Sequence, residues 1–123
     1  MNAPSATTRL SELMRVPAHK SIGAGSLCGV YVIKHKGTAV YVGYTGELPR
    51  VRIQNHINNK KSPVSLCVKK YGKDEFSVDW YEFNDYVDAQ HFEHNMIKLE
   101  QPIFNRYGHN QYQKGIGYST GKE

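Results

Sequence analysis

The chain has little cysteine and no long apolar run. Its two cysteines among 123 residues, Cys28 and Cys67, lack the spacing of a metal site, so we expect two reduced thiols in or near the core. No stretch approaches the roughly 20 apolar residues that a membrane span needs. The segment from Met1 to Ser11 lacks the basic start and apolar run of a signal peptide. These absences predict a cytoplasmic protein that does not contact a membrane.

Acidic residues are scarce in the middle of the chain. Residues 34–73 contain nine lysines or arginines and one acid, Glu47, whereas residues 74–100 contain eight acids and one base, Lys98. The net charge of the whole chain is +5. Such asymmetry within a small protein indicates a basic face for a polyanion and an acidic segment elsewhere. Ordinary solvated faces of helices and strands are the alternative.

The length and the 39% hydrophobic content are sufficient for one domain and too small for two of ordinary size. We expect an N-terminal arm over residues 1–28, disordered at residues 1–8 and carrying a short helix before Pro17. The central domain is predicted over residues 29–105. Residues 106–123 have no hydrophobic period and are predicted to form a basic mobile tail.

Two short strands, residues 29–34 and 39–44, form a predicted hairpin, and each carries a tyrosine at its centre, Tyr31 and Tyr41. Side chains alternate along a strand, so the two tyrosines share a face only if opposing residue numbers sum to an even value. A two-residue turn at Lys36-Gly37 gives an odd sum. We therefore predict a longer loop of three or five residues, or a compensating bulge.

The remaining pattern predicts an α+β fold, a small three-stranded antiparallel sheet flanked by helices. Capping residues and prolines predict helices over residues 46–58, from Ser62-Pro63 to Tyr71-Gly72, and from about Asp85 to a point before Pro102. The third strand is predicted over residues 76–83, where apolar and polar residues alternate.

Two features of the predicted helices suggest chemistry. Arg52 and His56 are four residues apart and therefore lie on one helical face. Glu93 falls in or beside the apolar stripe of the last helix, where a carboxylate needs a positive partner, a metal ion or a water-filled cleft. His91 and His94 flank Glu93 without the usual spacing of a helical zinc site, so we do not expect zinc.

The motifs resemble those of the GIY-YIG nucleases, in the same order along residues 29–105. The features that carry the resemblance are Gly29-Val30-Tyr31, Tyr41-Val42-Gly43, Arg52 with His56, Tyr71-Gly72 with Phe76, Glu93, and Pro102 with Asn105. Valine replaces isoleucine in both triplets. Arg52 lies eleven residues after Tyr41, where the family usually has ten, so Arg50 is a rival. We prefer Arg52 because it shares a helical face with His56.

The resemblance implies a divalent-metal-dependent endonuclease that hydrolyses DNA phosphodiester bonds, with RNA not excluded as a substrate. It implies that Glu93 holds one Mg²⁺ (or Mn²⁺) and that Arg52 grips the scissile phosphate. Asn105 would steady the site through hydrogen bonds.

The resemblance does not decide which residue is the general base. Tyr31, with Tyr41 beside it, would be the general base or would orient the water, and His56 is the other candidate for taking the proton. A nucleic-acid-binding module without catalysis is the competing function. The sequence leaves monomer and homodimer both open.

Overall fold

A four-stranded antiparallel sheet runs through the middle of the molecule. The computed structural model describes residues 3–106. The strands are β1 (Ala6–Arg9), β2 (Cys28–His35), β3 (Thr38–Thr45) and β4 (Phe76–Phe83), in the spatial order β1-β4-β2-β3. The helices are α1 (Leu10–Arg15), α2 (Pro49–Asn58), α3 (Pro63–Tyr71), α4 (Tyr86–Glu100) and α5 (Ile103–Arg106). The predicted α+β class with an antiparallel sheet and flanking helices is confirmed.

The sheet has one strand more than the predicted three. Residues Ala6–Arg9, which fall largely in the segment expected to be disordered, pair with β4 from Ala6 opposite Trp80 to Arg9 opposite Ser77. The hydroxyl of Thr7 donates a hydrogen bond of 2.8 Å to the buried Asp79 carboxylate. Four residues carry too little pattern to identify a strand, and β1 is stabilised by the hydrogen bonds that β4 offers at its edge.

Helices cover both faces of the sheet. Tyr31, Ile33 and Trp80 belong to one buried cluster, which is completed by residues of α1, α2, α3 and α5. The opposite face packs against α4. Burial on both faces explains why β2 is apolar along most of its length instead of alternating. Cys67 lies in the first cluster and Cys28 in the second, and both are buried free thiols, as expected.

The hairpin between β2 and β3 contains the predicted compensating bulge. Its turn is the two-residue Lys36-Gly37, and both residues have positive φ, 51° and 88°, the combination required by a type I′ turn. His35 pairs with Thr38 next to the turn, but the register shifts between Ile33 and Lys34, so that Ile33 pairs with Tyr41. Because β3 contains one extra residue, the numbers of the residues paired beyond the bulge again sum to an even value. Tyr31 and Tyr41 therefore lie on the same face.

The predicted ends of the long helices agree with the caps that the structure shows. The Ser62 hydroxyl accepts a hydrogen bond from the Ser65 N–H at the start of α3. Asp85 caps α4 in the same way. Helix α2 begins at Pro49, three residues later than predicted, because the Thr45 hydroxyl holds a turn by accepting the Glu47 N–H. Apart from Arg106, which ends α5, the predicted tail lies outside the described residues.

Within residues 3–106, no helix combines the length and the apolar character needed to cross a membrane. The cytoplasmic location stays a prediction.

Arg50 attaches the N-terminal segment to α2. Its guanidinium donates hydrogen bonds of 2.5 Å to the Val16 carbonyl and 3.0 Å to the Met14 carbonyl, at the C-terminal end of α1. A positive charge there also complements the negative end of the helix dipole. The guanidinium of Arg50 is thus engaged by backbone groups, and α1 is held against the layer that contains α2.

We expect Arg50→Met to lower the free energy of unfolding by about 2 kcal/mol, because it removes two charge-assisted hydrogen bonds from partly buried carbonyls. Urea denaturation measures the change. Arg15→Met, at the end of α1, is the control, and since the Arg15 side chain is 73% exposed we expect a change within about 0.5 kcal/mol. Equal effects of the two substitutions would contradict the attachment role of Arg50.

Candidate active site

The ring of Tyr31 lies directly over Gly43 of the neighbouring strand. Tyr31 and Gly43 are cross-strand partners, and Tyr31 is 1% exposed. A Cβ atom added to Gly43 would lie 2.4 Å from Cζ of Tyr31 and 2.5 Å from its hydroxyl oxygen. Such contacts are sterically excluded, so only glycine leaves room for the ring. The absent side chain lets the Tyr31 hydroxyl reach across β3, which is an edge strand of the sheet.

Tyr41 and His56 extend this aromatic surface toward α2. The centroid of the Tyr41 ring is 6.1 Å from that of Tyr31, and a hydrogen bond between the two side chains acts to lower the pKa of Tyr41. The His56 ring stands edge-on to Tyr41, with 4.6 Å between centroids and 80° between planes. The three rings therefore form a continuous row from the centre of the hairpin to helix α2.

Arg52 brings positive charge to the tyrosines. Its guanidinium donates a hydrogen bond to the Tyr31 hydroxyl and lies 4.0 Å from the Glu47 carboxylate, while 54% of its side chain remains exposed. Arg50, the rival candidate, is turned away toward the end of α1. The structure thus places Arg52 beside the tyrosines, with much of its guanidinium still accessible to a ligand.

Glu93 approaches from α4, on the other side of the sheet. Its charge acts to raise the pKa of both Tyr31 and Tyr41. Partial burial raises the pKa of Glu93 itself, and the neighbouring His94 opposes this effect. Among residues 3–105 no cationic side chain forms an ion pair with Glu93.

The donor set at Glu93 fits a hard divalent cation better than zinc. Within the part of the chain that the structure describes, no three His, Cys, Asp or Glu side chains are grouped as metal ligands. A single, partly buried carboxylate suits Mg²⁺, which keeps most of its water ligands, whereas zinc sites need three or four protein ligands. The residues present therefore fit the implied Mg²⁺ or Mn²⁺.

Both tyrosines at the site are neutral near pH 7. Burial is the largest cause that raises the pKa of Tyr31, followed by the nearby Tyr41, and the Arg52 guanidinium only partly offsets them. Burial and the Glu93 charge likewise raise the pKa of Tyr41. A free tyrosine already titrates near ~10. In this state Tyr31 is therefore a hydrogen-bond donor and not a phenolate.

Asn105 anchors α5 to the outer edge of β3. Its side-chain oxygen accepts the Val42 N–H at 2.8 Å, and its amide nitrogen donates to the Val42 carbonyl at 3.0 Å. These backbone groups point away from β2 and have no strand partner, because β3 is at the edge. Asn105 thereby fixes the backbone between Tyr41 and Gly43.

Two further residues near Glu93, Tyr44 and Gln90, were not predicted from the sequence. Burial raises the pKa of Tyr44, the Glu93 charge contributes to the rise, and a hydrogen bond from Gln90 opposes it. Gln90 precedes Glu93 by three residues on α4 and so lies on the same side of the helix. That spacing, together with the alternation that places Tyr44 on the α4 face of β3, was the available signal.

Comparison with known proteins places the chain in a family. The sequence model of the GIY-YIG catalytic domain matches residues 27–113. The search of curated protein sequences found no match.

The fold resembles that of solved nuclease domains. The GIY-YIG N-terminal endonuclease domain of UvrC from Thermotoga maritima, bound to magnesium, has a TM-score of 0.55 and 21% sequence identity, covering 77% of this chain and 92% of that chain. A point mutant of the same domain, bound to its catalytic divalent cation, has a TM-score of 0.54 and 20% identity, covering 76% and 90%. At this identity the likeness is one of fold.

Gly43→Ala should displace the Tyr31 ring, because the new methyl group would overlap it. We expect a loss of about 1–3 kcal/mol in unfolding free energy, the usual cost of overpacking a core, together with a changed tyrosine environment in near-UV circular dichroism. Gly46→Ala is the control, since its Cβ would lie 3.3 Å from the exposed Tyr86 ring, which can move. Wild-type stability and spectrum in Gly43→Ala would contradict the steric argument.

Proposed function

The chain belongs to the GIY-YIG catalytic domain family, an endonuclease family, and we propose that it hydrolyses DNA phosphodiester bonds with the help of a divalent metal ion. The observation that carries the proposal is the convergence of three groups from separate elements. Tyr31 comes from β2, Arg52 from α2 and Glu93 from α4. The Arg52 charge acts to lower the pKa of Tyr31, and the Glu93 charge acts to raise it. A cation, a partly buried carboxylate and a fixed phenol at one strand edge suit the hydrolysis of a phosphodiester.

Arg52 is the proposed clamp on the scissile phosphate. Its planar guanidinium matches two phosphate oxygens, and its partial exposure leaves donors free for such a ligand. The charge that develops on the phosphate oxygens during hydrolysis is stabilised more than the ground state when a fixed cation faces it. The Glu47 carboxylate lies 4.0 Å from the guanidinium, and both side chains are about half-exposed.

Tyr31 and Tyr41 orient the attacking water, and His56 takes its proton. The raised pKa of Tyr31 makes the phenol a poor base at neutral pH. Imidazole is the side chain whose ordinary pKa allows proton uptake near pH 7, and His56 packs edge-on against Tyr41. The water oxygen forms the new bond to phosphorus, the bond to one deoxyribose oxygen breaks, and the leaving oxygen takes a proton from solvent.

Glu93 is the proposed metal ligand, with Mg²⁺ or Mn²⁺ as the ion. When bound, the ion supplies positive charge that stabilises the transition-state phosphate and the leaving oxygen. Asn105 is a positioning residue that keeps the β3 backbone between Tyr41 and Gly43 fixed through Val42. Tyr44 and Gln90 support the α4 side of the same edge.

Cleavage of a supercoiled plasmid in the presence of Mg²⁺ tests this function. We expect nicking by the wild-type protein, its abolition by EDTA, and a loss of at least about 100-fold in rate for Glu93→Gln, the size of effect seen when a catalytic electrostatic group is removed. Asp88→Asn, an exposed acid in the first turn of α4, should cleave at the wild-type rate.

The proposal fails if wild-type protein cleaves neither double-stranded nor single-stranded DNA in any divalent metal, or if Glu93→Gln is as active as wild type. DNA binding without any cleavage would favour the competing function, a nucleic-acid-binding module. Cleavage of an RNA duplex in place of DNA would retain the chemistry and change the substrate.

A further inference from the structure

A cleft of about 400 Å³ opens where the C-terminal ends of α2 and α3 meet. We call it the lysine cleft, because three lysines line it, namely Lys60, Lys69 and Lys73. Its floor is apolar and includes the buried side chains of Ile57 and Val68. Apolar walls of low dielectric strengthen the field of the lysine charges that surround them.

The lysine cleft carries positive charge that the described residues do not neutralise. None of its three lysines forms an ion pair within 4.0 Å of an acid in residues 3–105. Lys34 and Lys36 differ in this respect, since Lys34 pairs with Asp79 at 2.9 Å and Lys36 lies 4.0 Å from Glu75. Three uncompensated ammonium groups around one depression repel each other, so the arrangement favours an anionic ligand.

The lysine cleft lies along α2 from the candidate active site. Arg52 precedes the last residue of the helix, Asn58, by six positions, which corresponds to about 9 Å along the helix axis. A DNA strand has one phosphate per ~3.4 Å of duplex axis. If one strand of a duplex runs along α2 and contacts Arg52, another of its phosphates, about three nucleotides away, would therefore lie at the lysine cleft.

We propose that the lysine cleft is a second binding site for the DNA backbone and holds the phosphates that flank the scissile bond. This inference rests on the proposed function for the identity of the polyanion. Lysine contacts to phosphates position a duplex without reading its sequence. The lysine cleft would thus set the direction of the DNA across α2 and contribute affinity, while Arg52 contacts the reacting group.

The test is the salt dependence of binding to a short fluorescein-labelled DNA duplex, measured by anisotropy in EDTA. The cleft variant combines three substitutions, Lys60→Gln, Lys69→Gln and Lys73→Gln. The control variant removes the same charge from exposed lysines elsewhere, through Lys20→Gln, Lys36→Gln and Lys98→Gln. Circular dichroism establishes that both variants are folded.

For the cleft variant we expect the slope of log K against log salt to fall in magnitude by about 2 to 3, since each phosphate contact contributes about 0.9. Its affinity at low salt should fall by about tenfold or more, and the control variant should change the slope by less than about 1.

Equal slopes for the two variants would overturn the proposal, since the loss would then reflect net charge alone. Binding confined to an RNA duplex, or no DNA binding by the wild type, would also overturn it. The binding assay contains EDTA and therefore does not depend on hydrolysis. If the protein shows cleft-dependent binding but cleaves no DNA in Mg²⁺, the binding site is supported and the proposed hydrolysis is refuted.

Discussion

The contact between the Tyr31 ring and the bare backbone of Gly43 is the constraint on which the candidate site depends. Tyr31 belongs to the inner strand β2, and because Gly43 has no side chain the Tyr31 hydroxyl lies over the edge strand β3. Groups from both helical layers can contact the hydroxyl there. Any side chain at position 43 would occupy that path. The bulge in β3 is equally necessary, because without it Tyr41 would lie on the opposite face.

The two edge strands of the sheet are β1 and β3. The short β1 pairs with β4, whereas the outer side of β3 is covered at Val42 by the side chain of Asn105. An edge strand is the place where a helix on each face can contribute to one site, and here α2 supplies Arg52 while α4 supplies Glu93. Burial raises the pKa of both tyrosines, which therefore stay neutral beside the Arg52 guanidinium and the Glu93 carboxylate.

Much of the fold followed from local sequence signals. Ser62-Pro63, Asp85 and the turn at Lys36-Gly37 act on their own neighbours, so their helices and hairpin were predictable. The strand β1 was not, because its hydrogen bonds come from β4, more than 60 residues away. The face shared by Arg52 and His56 was predictable from helical spacing. The expectation that Glu93 and Tyr31 belong to one site came only from the family resemblance, since their placement depends on how α4 packs across the sheet.

The proposed convergence of β2, α2 and α4 on one metal-binding edge is tested most directly by paramagnetic broadening by Mn²⁺ in a ¹⁵N-resolved spectrum. Substoichiometric Mn²⁺ should broaden the amide signals of Val42 and Gly43 together with that of Glu93, while the amides of β1 stay sharp. Glu93→Gln should abolish this selective broadening. Broadening elsewhere, or an unchanged pattern in Glu93→Gln, would contradict this convergence.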